Sequence, residues 1–275
     1  MMLLTIPSPS SGSLDIGPLT LNAYGAMIAL GVVVAVWVGG RRLEAKGTGT
    51  RDDMSAVAMW GVPAGVIGAR IYHVITDWDR FSGNLGDTIK IWKGGLGIWG
   101  GIFLGTVVGV MIAKKKGLRP ADVLTAVAPG LAFAQAIGRW GNWFNQELFG
   151  RATTLPWALS VSDETAVKAG FEPGTTFHPT FLYESLLCAA LGFALLALDR
   201  RVPMRPGRLF AFYVAGYTAF RFFIEGLRID PAHYAGGLRL NQWVSLVVFA
   251  FAVVVIVAMR GAPAEPEQVA PAPAD

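Results

Sequence analysis

Seven apolar runs, each close to the length of a membrane-crossing helix, constrain this chain more than any other feature. They cover about Leu21–Gly39, Met54–Ile75, Gly95–Ala113, Ala121–Gly138, Thr180–Leu198, Arg208–Gly226 and Gln242–Met259. About 20 residues of helix cross the ~30 Å hydrocarbon layer of a bilayer. Backbone polar groups inside that layer are satisfied only within helices or closed barrels. The 275 residues are 53% hydrophobic and 15% charged, against roughly 25% charged in a soluble domain. The fold class expected is an all-α integral membrane protein with seven transmembrane helices.

Lysine and arginine set the orientation. The loops after the first, third and fifth runs, with Arg260 after the seventh, carry thirteen such residues, and the opposite side carries eight. The positive-inside rule then puts the N-terminus outside and the C-terminus in the cytoplasm. The predicted organisation is an extracytoplasmic N-terminal segment (1–20), a membrane domain (21–260) that includes a small outer head (151–179), and a disordered Pro/Ala-rich tail (261–275). Residues 1–20 lack a basic n-region and a long apolar run, so no cleaved signal peptide is expected and the first run serves as the anchor. The net charge of +4 resides in short inter-helix clusters. It is topology information and not a nucleic-acid surface. The single cysteine, Cys188, lies within an apolar run. It excludes an internal disulfide and any paired-cysteine metal or redox motif, and reads as a buried small hydrophobe. Glycines at four-residue spacing, Gly61/Gly65 and Gly101/Gly105/Gly109, predict close helix contacts. Trp78, Trp92, Trp140 and Trp143 fit an interfacial aromatic belt.

One stretch breaks the apolar pattern. Gly138–Gly150 (GRWGNWFNQELFG) packs Arg139, Asn142, Asn145 and Glu147 into thirteen residues at the end of the fourth run. Counting ~1.5 Å per residue, Arg221 and Glu225 in the sixth run and Arg70 in the second all fall in the outer half of the membrane. So do Tyr24 at the start of the first run, Gly100 and Gly101 at the start of the third, and His178, Tyr183 and Glu184 at the start of the fifth. Ionisable residues at such depths are functional candidates. Glu225 follows Arg221 by four residues, on the same helix face. Two arginines beside glycine-rich backbone suit a phosphate, which guanidinium holds in bidentate fashion. The residues alone thus point to a membrane-embedded site for an anionic, phosphate-bearing lipid. Transport or binding of such a lipid is the alternative to chemistry on it. Transporters more often show internal repeats, and none is found.

Gly138–Gly150 resembles the signature G-R-x-G-N-x-x-N-x-E-x-x-G of the bacterial prolipoprotein diacylglyceryl transferase family, with every fixed position present. Tyr24-Gly25, Gly68-Ala69-Arg70-Ile71-Tyr72, His178-Pro179-Thr180-Phe181-Leu182-Tyr183-Glu184 and Phe220–Glu225 support the likeness, which extends over nearly the whole chain up to the tail. The resemblance implies a multi-pass enzyme of the bacterial cytoplasmic (inner) membrane, with its site toward the outer leaflet. It would move the diacylglyceryl group of phosphatidylglycerol onto the lipobox cysteine of a prolipoprotein, forming a thioether and releasing glycerol-1-phosphate. Its partners would be membrane lipid and the lipobox peptide, with no cofactor, metal or nucleic acid. Arg139 and Arg221 would hold the lipid phosphate, and Tyr24, Asn142, Glu147 and Glu225 would serve the chemistry. Asn142, Asn145, Gly100, Gly101, Gly150, Arg70 and His178 would line the lipid site. Two positions depart from the family pattern. Trp99 stands where many members have a histidine, and Phe181 where a glutamine is often seen. Indole cannot accept a proton, so either a histidine is not a universal base in the family or another group serves here, with Glu147, Glu225 and His178 as candidates; a local positive field that lowers the thiol pKa is the alternative to a base.

Overall fold

The computed structural model describes residues 5–16, 19–91 and 94–261. Trp92, Lys93 and the tail beyond Gly261 lie outside the described residues. The chain forms helices α1 (Ala23–Ala45), α2 (Arg51–Thr76), α3 (Ile98–Lys115), α4 (Pro120–Phe144), α5 (Asp163–Lys168), α6 (Thr180–Arg201), α7 (Arg208–Leu227) and α8 (Leu240–Ala258). Short strands are β1 (Ile6–Pro7), β2 (Ser13–Ile16), β3 (Leu19–Asn22), β4 (Leu159–Ser160), β5 (Thr176–Phe177), β6 (Tyr234–Ala235) and β7 (Leu238–Arg239). Among the described residues six helices, α1, α2, α3, α4, α6 and α8, are long and apolar enough to cross a membrane. The seventh expected span, α7, is 20 residues long but carries Arg208, Arg221 and Glu225 and is not among the six. Large apolar side chains such as Val33, Met59, Phe103, Phe193 and Phe251 are at least 63% exposed, a surface suited to lipid and not to water.

The expected helix boundaries shift for local reasons. Residues 19–22 pair with Ser13–Ile16 as an antiparallel hairpin, so α1 starts at Ala23 and not Leu21. Helix α2 starts at Arg51 because Thr50 and Asp53 form a reciprocal capping box, which satisfies backbone N–H groups on both sides of the helix start. Helix α3 starts three residues late, at Ile98, because Gly94 and Gly95 take φ of 80° and 75°, outside any right-handed helix. Helix α4 runs on through Asn142 to Phe144, past Gly138.

The chain divides into two compact units, residues 32–131 and residues 1–31 with 132–275. In the first of these, α2 and α3 face each other along the glycine seam. A methyl group on Gly68 would strike the Gly100 carbonyl oxygen, and one on Gly100 the Gly68 carbonyl. The glycines expected to mediate helix contact do so: Gly61 lies against Gly105 and Gly109, and Gly65 against Gly101. Leu43, Met54, Ala113, Leu118, Val123 and Ala126 form the core toward one end of this unit.

The other unit combines the later helices with a small head. Here β4 pairs in parallel with β1 and antiparallel with β5, and α5 is capped by the Ser162 side chain. Phe149, Leu159, Val161, Ala166, Phe177 and Phe181 form the head's core, with Ile6 and Trp143 packed against it. Strand β1 from the N-terminus thus completes the small sheet of segment 151–179. Trp143 donates to the Pro7 carbonyl and Trp140 to Ser185 Oγ. Both rings stand beside the buried Phe181, so these two tryptophans tie elements together. Cys188 is fully buried, as expected.

Candidate active site

The site is built around one carboxylate, Glu184, which the sequence places at the start of the fifth span without a specific role. Glu184, in the first turns of α6, is 3% exposed. Its Oε2 lies 2.9 Å from Arg139 Nε of α4, and its Oε1 2.6 Å from Arg221 Nη1 of α7. The two arginines, far apart in the chain, are thereby fixed side by side by the two oxygens of a single group. Arg221 Nη2 also pairs with Glu225 Oε2 at 2.5 Å, one helical turn on, as the four-residue spacing predicts.

Glu225 is fully buried and anchors a second layer. Arg228 Nη1 stands 3.5 Å from its Oε2. Arg239 Nε lies 3.0 Å from its Oε1, an ion-pair distance without hydrogen-bond alignment, and Asn241 Nδ2 donates to Oε1 at 3.2 Å. Asp230 closes the layer by accepting from Arg228 and Arg239. Burial raises the Asp230 carboxyl, but hydrogen bonds and charge from Arg228 and the charge of Arg239 outweigh it and hold the group below the usual carboxylate range. Arg228 and Arg239 were read only as topology markers. Their role shows once the β6–β7 hairpin and the start of α8 are in place. The cluster joins four guanidinium groups to three carboxylates, a net positive environment for an anion.

Arg139 keeps loose donors. Its Nη1 reaches Asn142 Oδ1 and its Nη2 the Tyr217 hydroxyl, each at 3.4 Å, long for such bonds. A better acceptor, such as a phosphate oxygen, would capture them. Asn142 is 4% exposed and bridges outward: its Nδ2 donates to Glu147 Oε1 at 2.8 Å, and Asn145 Nδ2 approaches the same oxygen at 3.5 Å. Tyr24, in the first turn of α1, lays its ring on Gly141, where a Cβ would sit 2.5 Å from Cδ2. Glycine at that position is required by this contact. Gly150 donates its N–H to the His178 carbonyl and bridges to Arg228, which joins the signature loop to the head and to the end of α7. The Tyr183 hydroxyl accepts from Trp157 Nε1 at 3.0 Å and lies 3.2 Å from His178 Nδ1.

A model of the prolipoprotein diacylglyceryl transferase family matches residues 12–258. The chain belongs to this family. Phosphatidylglycerol–prolipoprotein diacylglyceryl transferase 1 of Streptomyces coelicolor is 50% identical to it over 260 residues, covering 94% of this chain and 74% of the relative. The enzyme of the same name from Streptomyces griseus is 49% identical over 260 residues, 94% of this chain and 78% of the relative. That of Cutibacterium acnes is 49% identical over 261 residues, 94% of this chain and 87% of the relative.

Within the transferase family signature, the structure gathers Arg139, Asn142, Asn145, Glu147 and Gly150 with Tyr24, His178, Arg221 and Glu225 in one unit. The other expected lipid-site residues belong to the second unit. Arg70 is 7% exposed, and four of its N–H groups go to the backbone carbonyls of Thr88, Gly94, Gly95 and Asp87. Gly100 and Gly101 pack against Gly68, Gly65 and Ala69 of α2.

Proposed function

We propose that this membrane transferase moves the diacylglyceryl group of phosphatidylglycerol to the thiol of a prolipoprotein lipobox cysteine, with Arg139 and Arg221 as the phosphate clamp. The reading makes α7 a seventh span, with the N-terminus outside, the C-terminus cytoplasmic and the site open toward the outer leaflet. The observation that carries it is the bridging of Arg139 and Arg221 by Glu184, which presents two guanidinium groups at a fixed spacing. A sulfur–carbon bond forms at the glycerol carbon as its bond to the phosphate oxygen breaks. Negative charge grows on that oxygen, and pre-set cations in a water-poor site stabilise it without reorganisation. Glu225 holds Arg221 from behind. Asn142, Asn145, Gly150 and His178 line the lipid and peptide path, and Tyr24 supports the signature helix through Gly141. The nucleophile arrives with the peptide, in keeping with a chain whose own cysteine is buried.

The test is turnover. The purified protein in detergent with phosphatidylglycerol and a lipobox peptide is expected to give a thioether-linked product and one glycerol-1-phosphate per peptide. Lipid binding without product would refute the transferase reading.

A further inference from the structure

The attacking thiol must shed a proton. We infer that Glu147 is the group that accepts it, an assignment that rests on the transferase reading above. Trp99 is a donor only. Glu184 lies between two guanidinium groups, and Glu225 is fully buried among Arg221, Arg228, Arg239 and Asn241. Protonating either would undo a buried ion pair. His178 Nδ1 is already engaged by the Tyr183 hydroxyl, which also accepts from Trp157.

Glu147 differs in each respect. It is half-exposed. Its two partners, Asn142 and Asn145, are neutral carboxamides, and both donate to Oε1. Among the described residues Oε2 has no protein partner, and no lysine, arginine or histidine nitrogen lies within ion-pair reach of the carboxylate. The nearest cation is Arg139, one carboxamide away through Asn142, which couples the acceptor to the clamp that receives the leaving group. The elements around the loop bring other charged or titratable groups: Tyr24 on α1, Arg151 after the loop, His178, Tyr183 and Glu184 at the start of α6, and Tyr217, Arg221 and Glu225 on α7. None of these is bonded to Glu147.

The aim of this side chain is also over-determined. Gln146 and Leu148, on either side of it, take φ of 51° and 59°, a left-handed conformation that residues other than glycine adopt rarely and mostly where surroundings impose it. Those surroundings are visible. Gln146 Nε2 donates to the Pro9 carbonyl, and its Oε1 accepts from Ser162 N. Thr180 Oγ1 donates to the Leu148 carbonyl. The N-terminal segment, the head and α6 thus grip both flanks of Glu147.

The step balances without a co-reactant. The S–H proton passes to Glu147 Oε2 as the sulfur–carbon bond forms, and the electrons of the carbon–oxygen bond leave on the phosphate. Protonated Glu147 then returns the proton to solvent or to the released glycerol-1-phosphate.

The experiment compares Glu147→Gln and Glu147→Asp with the unaltered protein, in turnover and in binding of phosphatidylglycerol vesicles, across pH 6 to about 8.5, the ordinary thiol pKa. Glutamine keeps a carbonyl oxygen for Asn142 and Asn145, so lipid binding is expected to be unchanged. Turnover of Glu147→Gln is expected to fall about a hundredfold to ten-thousandfold and to recover roughly tenfold per pH unit as solvent supplies thiolate. Glu147→Asp retains a carboxylate and is expected to keep the unaltered pH profile at a reduced rate. Full-rate turnover by Glu147→Gln would overturn the assignment, as would an equal loss in both variants with no recovery at high pH. Absence of turnover in the unaltered protein would instead refute the transferase reading itself.

Discussion

Glu184→Gln tests the clamp most directly. The substitution removes a buried anion held 2.9 Å from Arg139 and 2.6 Å from Arg221, while keeping the side-chain shape. Arg221 retains Glu225, but Arg139 keeps only the two 3.4 Å contacts to Asn142 and Tyr217. Removing one partner of a buried ion pair costs ~3–5 kcal/mol. At ~2–4 °C per kcal/mol, the thermal midpoint is expected to drop by about 6–20 °C. Part of that loss should be returned by ligand, because a lipid phosphate can take the place of the missing carboxylate between the two guanidinium groups. The variant is therefore expected to gain more thermal stability from phosphatidylglycerol than the unaltered protein does. It should also show a lower kcat, by at least tenfold, without a higher KM for lipid, since the arginines bind but are no longer held at one spacing. Thermal melts with and without phosphatidylglycerol, with turnover measured alongside, check both parts. A raised KM at unchanged kcat, or a ligand-induced shift no larger than that of the unaltered protein, would refute the idea that Glu184 sets the clamp.

Arg139→Ala and Arg221→Ala are each expected to lower turnover by at least the hundredfold to thousandfold typical of losing one charge-stabilising donor, with native elution and a lowered melting temperature, since each also removes one partner of a buried ion pair; activity in both variants would sink the clamp. Trp99→His is expected to leave turnover within a fewfold, because the proton acceptor is assigned to Glu147; a large gain in rate would argue that a base is missing at the start of α3. The depressed carboxyl of Asp230 contributes stability that is present above the ordinary carboxylate pKa of about 3.9 and is lost as pH falls through the lower folded value. Melting temperature is therefore expected to fall more steeply below about pH 4 than in Asp230→Asn, and curves of equal slope would contradict that reading.

Local pattern made much of this protein legible in advance. Six of the seven expected spans meet the length and hydropathy of a membrane helix, because apolar length is written residue by residue. The Arg221–Glu225 pair was readable because a helix places residues four apart on one face. The polar stretch Gly138–Gly150 was conspicuous because its chemistry is costly beside lipid.

The sequence by itself therefore determined the helical membrane architecture, the signature loop and the family. Only the tertiary structure decided what Arg139 and Arg221 touch. That Glu184 bridges them, that Arg239 and Arg228 converge on Glu225, and that Tyr217 reaches Arg139 depend on how α4, α6, α7 and the β6–β7 hairpin are rotated and packed. Packing is collective, and spacing along the chain does not encode it. The same holds for Glu147. Its place in the motif was visible, but its free Oε2 and its strained neighbours arise from contacts with the N-terminal segment and the head, which meet the loop only when the chain has folded.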